Sequence, residues 1–185
     1  MPVIVKLIVF LLVSAGIAYF SLASLLKPRS HGFYRFFALE LILALALLNL
    51  DVWFSHPFAW YQLISVPLLV ISAGLVIHAV WLFNQEGKPD ARRSEGNLYS
   101  FEKTTRLVTV GAYRYIRHPM YSSLLFLVWG IFFKQPGLTG ALLALLISLL
   151  LTLTARADEA EDIAYFGPVY LKYMKHTKRF IPFLF

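Results

Sequence analysis

An arginine, a histidine, a proline and a tyrosine stand together just before an apolar segment, as Arg117, His118, Pro119 and Tyr121. Proline is tolerated at the first position of a helix, so Pro119 predicts where a helix begins. Arg117 and His118 then lie at the positive end of that helix, where N–H groups and cationic side chains bind anionic or electron-rich ligands. Arg117 and Tyr121, four residues apart, share a helical face. The pattern also fits an ordinary arginine and tyrosine girdle at a membrane interface.

A second polar group follows the last long apolar segment and consists of Arg156, Asp158, Glu159, Glu161 and Asp162. Arg156 and Glu159 are three residues apart and share a helical face. A carboxylate there can accept hydrogen bonds from the hydroxyl or amino groups of a bound cofactor. The alternative is a solvated helix end stabilised by salt bridges.

Metal and thiol chemistry find little support in the sequence. There is no cysteine, which excludes disulfides, thiol catalysis and thiolate metal sites. The five histidines are His31, His56, His78, His118 and His176. They contain no pair at metal-ligand spacing, so we expect no metal site.

Three further polar residues lie inside apolar segments, where ionisable groups are costly unless paired or near an interface. We expect structural roles for Glu40 and Asp51. For His78 a structural role and a place near the floor of a pocket both stay open.

The elements that must position these residues are membrane helices. Hydrophobic residues make up 59% of the 185 positions and the mean hydropathy is +0.68. This apolar share is well above that of soluble domains, about 45–50%. Because about 20 apolar residues cross a bilayer, the sequence predicts an all-α integral membrane protein with about five transmembrane helices. The predicted spans are residues 3–26, 36–54, 63–83, 119–133 and 137–155. The fourth span is short, about 23 Å at 1.5 Å per residue.

The positions of lysine and arginine predict the orientation. Residues 27–35, 85–118 and 156–185 fall on one side of a five-span bundle and hold fifteen of the seventeen Lys and Arg residues. By the positive-inside rule that side is cytoplasmic, which gives an N-out, C-in topology. The net charge of +7 is therefore explained by anionic membrane lipids rather than by nucleic acid, which we do not expect as a partner.

We expect one membrane domain over residues 1–185, in four parts. Residues 1–84 hold three N-terminal spans, and residues 85–118 form a cytoplasmic loop with the motif. Residues 119–156 form a transmembrane hairpin, and residues 157–185 a cytoplasmic C-terminal segment that includes an interfacial amphipathic helix over residues 169–180. The hairpin brings His118 and Glu159 to the same side, where they can line one pocket. Residues 84–107 are a candidate lid.

The stretches "LVTVGAYRYIRHPMYSS" and "RADEAEDIAYFGPVYLKYMKHTKRFIP" resemble the isoprenylcysteine carboxyl methyltransferase family and its relatives, the membrane phospholipid methyltransferases. The resemblance covers about residues 98–183. The matching positions are Leu107, Val108, Gly111, Tyr113, Arg117, His118, Pro119, Tyr121, Arg156, Asp158, Glu159, Phe166, Gly167, Tyr170, Tyr173, Arg179, Phe180 and Pro182. The chain departs from the family pattern at Glu161 and Asp162, where leucines are common.

The resemblance implies S-adenosyl-L-methionine as the cofactor, S-adenosyl-L-homocysteine as its product, and a hydrophobic or lipidic methyl acceptor that enters from the bilayer. The cofactor-binding residues it implies are Leu107, Val108, Gly111, Tyr113, Arg117, His118, Pro119, Tyr121 and Glu159. The catalytic candidates are Arg156, His118 and Glu159, with Arg156 orienting the polar head of the acceptor. The active site would face the cytoplasm.

Two other protein classes stay open. Membrane sterol reductases that use NADPH share an R-H-P-N-Y-type motif, usually followed closely by Gly-Glu. Here the corresponding positions are Met120, Ser122 and Ser123, which argues against a reductase. A non-catalytic membrane protein could also keep such a pocket. The sequence identifies neither the acceptor nor the oligomeric state.

Overall fold

A computed structural model describes residues 1–88, 90 and 103–184, and over these residues the chain is helical and has no strand. The helices are α1 (Val3–Leu25), α2 (His31–Asn49), α3 (Trp60–Gln85), α4 (Pro119–Phe132), α5 (Leu138–Phe166) and α6 (Pro168–His176). Short 3₁₀ turns lie at Leu50–Val52 and Gly111–Arg114. Four helices, α1, α2 with its 3₁₀ extension, α3 and α5, are long and apolar enough to cross a membrane, and α4 is a shorter apolar helix. The predicted all-α membrane fold is thus confirmed, whereas the orientation stays a prediction.

Local sequence explains where α2 begins. It starts at His31, five residues before the predicted boundary, because Ser30 caps it: the Ser30 hydroxyl accepts the N–H of Phe33 at 3.2 Å. The polar first turn lowers the local mean hydropathy, so a prediction based on hydropathy places the start of the helix too late.

Glycine and proline set the boundaries at the other end of the chain. α4 begins at Pro119, as predicted. The pair Gly167-Pro168 predicts that the fifth helix continues past its membrane span and ends there, and α5 does run to Phe166 and stops at Gly167, whose φ is +62°. Proline then opens α6 at Pro168. The described α6 is shorter than the predicted helix over 169–180.

The centre of the bundle lies between α2, α4 and α5. Its buried residues are Ala38, Ile42, Leu45, Val128, Ile131, Ala144, Ile147 and Leu151. In a bilayer such helices associate through close packing and interhelical hydrogen bonds, since lipid is as apolar as leucine.

Small residues bring α3 against α4. The hydroxyls of Ser65 and Ser72 donate to the carbonyls of Gly130 and Ser123, each at 2.7 Å. A Cβ on Gly130 would lie 2.8 Å from the Leu69 side chain, so only glycine allows this approach. α3 and α4 therefore form a tight antiparallel pair.

α1 packs against α2. The Ser14 hydroxyl donates to Glu40, and Lys6 donates to Asp51 at 2.7 Å. Both carboxylates pair with α1, in agreement with the structural roles expected for them. The candidate lid at residues 84–107 lies in large part outside the described residues and stays a prediction.

Candidate active site

The segment that carries Arg117 and His118 is fixed by the C-terminal tail. The N–H groups of Arg117 and His118 donate to the carbonyls of Lys178 and Arg179 at 2.8 and 3.2 Å, and Lys178 donates back to the Tyr115 carbonyl at 3.0 Å. The two segments run parallel through the bridge between Ile116 and Lys178. The motif therefore has a rigid wall behind it, built by residues about 60 positions away in the sequence.

Gly111 holds the preceding turn against α3. Its φ is +57°, and a Cβ there would lie 2.6 Å from Nε2 of His78 and 2.7 Å from Cδ1 of Leu82. The Ala112 N–H also donates to His78 Nε2 at 3.4 Å. The family resemblance implies Gly111 as a cofactor-binding residue; in the structure its close neighbours are side chains of α3. His78 anchors the turn and does not line the cavity described next.

A cavity of about 650 Å³, including its open mouth, lies between this turn, α3, α4, α5 and α6. The lining residues are Phe83, Thr104, Leu107, Val108, Tyr113, Arg117, His118, Met120, Tyr121, Asp158, Asp162, Phe166, Tyr170 and Tyr173. Six of these are phenylalanine or tyrosine, two are carboxylates, and Arg117 and His118 supply the cationic groups. Such a cavity can hold a ligand that carries both positive and negative groups.

Glu159 is the hub of a buried ion-pair network beside the cavity. It is only 5% exposed and accepts the Arg117 Nε–H at 2.8 Å. Arg179 donates to both of its carboxylate oxygens, at 3.1 and 2.7 Å. Arg117 also donates to the carbonyls of Met174 and Thr177. Glu159 thus ties α5 to the motif and to the tail.

His118 is buried between two carboxylates. Its Nδ1 lies 3.4 Å from Asp158 Oδ2 and its Nε2 lies 3.4 Å from Glu159 Oε1, and its ring stacks on Tyr121 at 5.3 Å between centroids. Burial lowers the pKa of His118, but the attraction of the nearby carboxylates of Asp158 and Glu159 outweighs burial and raises the pKa above its ordinary value. Nε2 is buried and accepts or donates no well-aligned hydrogen bond among the residues that the structure describes. The site therefore favours the imidazolium form.

Two tyrosines of α6 complete the wall. The Tyr173 hydroxyl donates to the Tyr113 carbonyl at 2.6 Å, and Tyr170 is 2% exposed. Burial, together with the nearby carboxylate of Asp162, raises the pKa of both phenols. Both stay neutral at physiological pH.

The structure brings most of the predicted site residues together. The predicted residues that line the cavity are Leu107, Val108, Tyr113, Arg117, His118 and Tyr121. Gly111, Pro119 and Glu159 lie behind this lining. Arg156 is exposed and does not line the cavity.

Several lining residues were not predicted as site residues. In the sequence, Phe83 and Met120 are ordinary apolar residues of membrane helices. Thr104 lies in a polar segment in which no motif marks it as a site residue. Asp162 stood out in the sequence as a member of the acidic group after the last apolar segment and as a departure from the family pattern, and it was not assigned to the site. Among the described residues no group of three His, Asp or Glu side chains could hold a metal ion.

A family model described as phospholipid methyltransferase matches residues 60–164, more than half of the chain. The matched range runs from the first residue of α3 into the polar end of α5, and so includes the motif, the hairpin and the acidic pair. No curated protein and no solved structure matched the chain in the corresponding comparisons. The family match confirms the resemblance carried by the motifs, and with the membrane-compatible helices it indicates a multi-pass membrane protein. The chain belongs to the phospholipid methyltransferase family.

Proposed function

We propose that the protein is an integral-membrane methyltransferase that uses S-adenosylmethionine to methylate a hydrophobic or lipid-like acceptor. The observation that carries the proposal is the cavity: aromatic rings, two carboxylates and two cationic side chains converge at one end of the bundle, in a chain of a methyltransferase family.

The cavity residues fit the groups of this cofactor. When bound, S-adenosylmethionine supplies a methyl group that a nucleophile can take from its sulfonium. The faces of Tyr113 and Tyr121 can stabilise a sulfonium through cation–π attraction. Arg117 and His118 both line the cavity, and cationic side chains suit a carboxylate. Asp158 and Asp162 suit an ammonium group.

For Glu159 we propose a positioning role in place of the expected contact with the cofactor. Arg117 and Arg179 already occupy its carboxylate, and it does not line the cavity. We assign it to positioning: it holds Arg117 toward the cavity and fixes the tail. Leu107 and Val108 would contribute apolar and backbone contacts to the cofactor.

The acceptor is proposed to enter from the bilayer. Phe83 of α3 and Met120 of α4 give the cavity an apolar side next to the membrane-compatible helices. Arg156, exposed where α5 turns polar, remains the candidate for contact with the polar head of the acceptor. The lysine and arginine distribution supports a cytoplasmic site.

The proposal is tested with the purified protein in phospholipid vesicles and methyl-labelled S-adenosylmethionine. We expect label in the organic extract, reduced about 100-fold by His118→Asn because the cationic imidazole in the site is lost. His56→Asn, at an exposed loop histidine, is the matched control and should keep the rate. Cofactor binding without label transfer to any lipid would contradict the methyltransferase assignment.

A further inference from the structure

The first residue of α2 reaches the candidate site from outside the matched family region. His31 is fully buried. Its backbone N–H donates to Glu161 Oε1 at 3.0 Å and its Nδ1–H donates to Glu161 Oε2 at 2.8 Å. One carboxylate therefore binds both the backbone and the side chain of His31 at the positive end of α2, a favourable place for an anion.

Asp158 lies between His31 and His118. Its Oδ1 is 3.8 Å from His31 Nδ1, and its Oδ2 is 3.4 Å from His118 Nδ1. Arg35, buried one turn further along α2, adds a positive charge that acts on Asp158. Asp158 also lines the cavity. The Asp158 carboxylate thus links the imidazole of His31 to that of His118 in the cavity wall.

The pairing of α2 with α5 does not depend on this contact. Ala38, Ile42 and Leu45 of α2 pack in the same core as Ala144 and Ile147 of α5, well inside the bundle. A change at His31 should therefore leave the helices assembled. The contact between His31 and Glu161 lies at the end of α2, next to Asp158.

We propose that His31 and Glu161 form a latch that holds the Asp158 carboxylate in place to bind the ammonium group of the cofactor's methionyl moiety. His31 is then a positioning residue, and Glu161, which replaces a leucine common in the family, is its partner. The inference rests on the proposed cofactor. It predicts that the latch affects only ligands that carry the ammonium group.

The test compares two ligands by calorimetry on the protein in detergent: S-adenosylhomocysteine, whose homocysteinyl part carries the ammonium group, and 5′-methylthioadenosine, which lacks the whole amino-acid part. We expect His31→Leu to raise the Kd for S-adenosylhomocysteine about tenfold, equivalent to about 1.4 kcal/mol, and to change the Kd for methylthioadenosine less than about twofold. Glu161→Leu should behave in the same way. His31→Asn keeps a donor near the Nδ1 position and should retain most of the affinity.

A double-mutant cycle distinguishes positioning of Asp158 from a general structural role of His31. In an Asp158→Asn background, His31→Leu should weaken S-adenosylhomocysteine binding by less than about twofold, because the carboxylate it positions is gone. His56→Asn is the control, and thermal midpoints report whether each variant is folded. If His31→Leu does not fold, Glu161→Leu and His31→Asn carry the comparison.

The outcomes separate the two proposals. Equal losses for both ligands, unchanged affinity in the latch variants, or full additivity with Asp158→Asn would each overturn the latch while leaving the methyltransferase assignment intact. Wild-type protein that binds neither ligand would overturn the assignment itself and the latch with it.

Discussion

Replacing Glu159 by glutamine removes the negative charge at the centre of the ion-pair network and keeps the size of the side chain. Arg117 and Arg179 would then face an amide. If Glu159 positions these arginines, the change should destabilise the protein in the absence of any ligand. If Glu159 serves only to bind the cofactor, ligand-free stability should not fall.

The size of the effect follows from burial. Removing one partner of a buried ion pair costs about 3–5 kcal/mol. The side chains of Glu159, Arg117 and Arg179 are 6%, 9% and 18% exposed, and the glutamine keeps one acceptor oxygen. We therefore expect the lower end, about 3 kcal/mol. For a chain of this length, that corresponds to a thermal midpoint lower by about 6–12 °C.

The assay is thermal unfolding of the detergent-purified protein, followed by the aromatic fluorescence signal, without ligand and with S-adenosylhomocysteine. Glu86→Gln, at an exposed position just after α3, is the matched control and should leave the midpoint unchanged. An unchanged ligand-free midpoint in Glu159→Gln, with lost ligand affinity, would refute the positioning role and favour direct contact with the cofactor.

Three further variants test other contacts. Gly111→Ala should destabilise the protein by about 2–4 kcal/mol in thermal unfolding, because the residue has a positive φ and the new Cβ would meet His78. The raised pKa of His118 means that its ionised form stabilises the fold. This stabilisation is complete below the unfolded-state pKa and is lost as the pH rises through the folded-state pKa, so the thermal midpoint should fall as the pH increases above about 6.5. His118→Asn should make the midpoint less dependent on pH in this range. Tyr173→Phe removes the donor to the Tyr113 carbonyl and should lower the free energy of unfolding by about 1 kcal/mol.

Each of these three variants has a matched control at another position of the chain. A Cβ at Gly16 meets no atom of the described part of the chain within 4 Å, so Gly16→Ala should not destabilise the protein. His56→Asn should keep the wild-type pH profile, and Tyr115→Phe, at a 48% exposed ring, should be nearly neutral. A stable Gly111→Ala variant, a pH profile unaffected by His118→Asn, or a Tyr173→Phe variant as stable as wild type would contradict the corresponding contact.

Much of the fold follows from local signals in the sequence. Pro119, Gly167 and Pro168 act on the backbone within one or two residues, so the boundaries they set could be predicted. The start of α2 was placed too late because its polar first turn lowers the local hydropathy, although the Ser30 cap is a local signal. The neighbourhood of His118 and Glu159 followed from the hairpin, which brings the two helix ends to the same side.

The partners within the site were beyond the reach of the sequence. Arg179 reaches Glu159 because the tail folds back along the motif, and His31 meets Glu161 across 130 residues. No periodicity encodes such contacts between distant segments. The sequence therefore indicated a carboxylate that binds a ligand at Glu159, whereas the structure shows the carboxylate bound to two arginines and Asp158 lining the cavity instead.

The most direct test of the proposed cofactor site is a calorimetric titration of the purified protein with S-adenosylmethionine, S-adenosylhomocysteine and NADPH, repeated with His118→Asn and with His56→Asn. We expect both adenosyl ligands to bind wild-type and His56→Asn protein, weaker binding to His118→Asn, and no binding of NADPH. Binding of NADPH in place of the adenosyl ligands would contradict the methyltransferase assignment and favour a reductase, and binding of none of the three would contradict a cofactor role for the cavity.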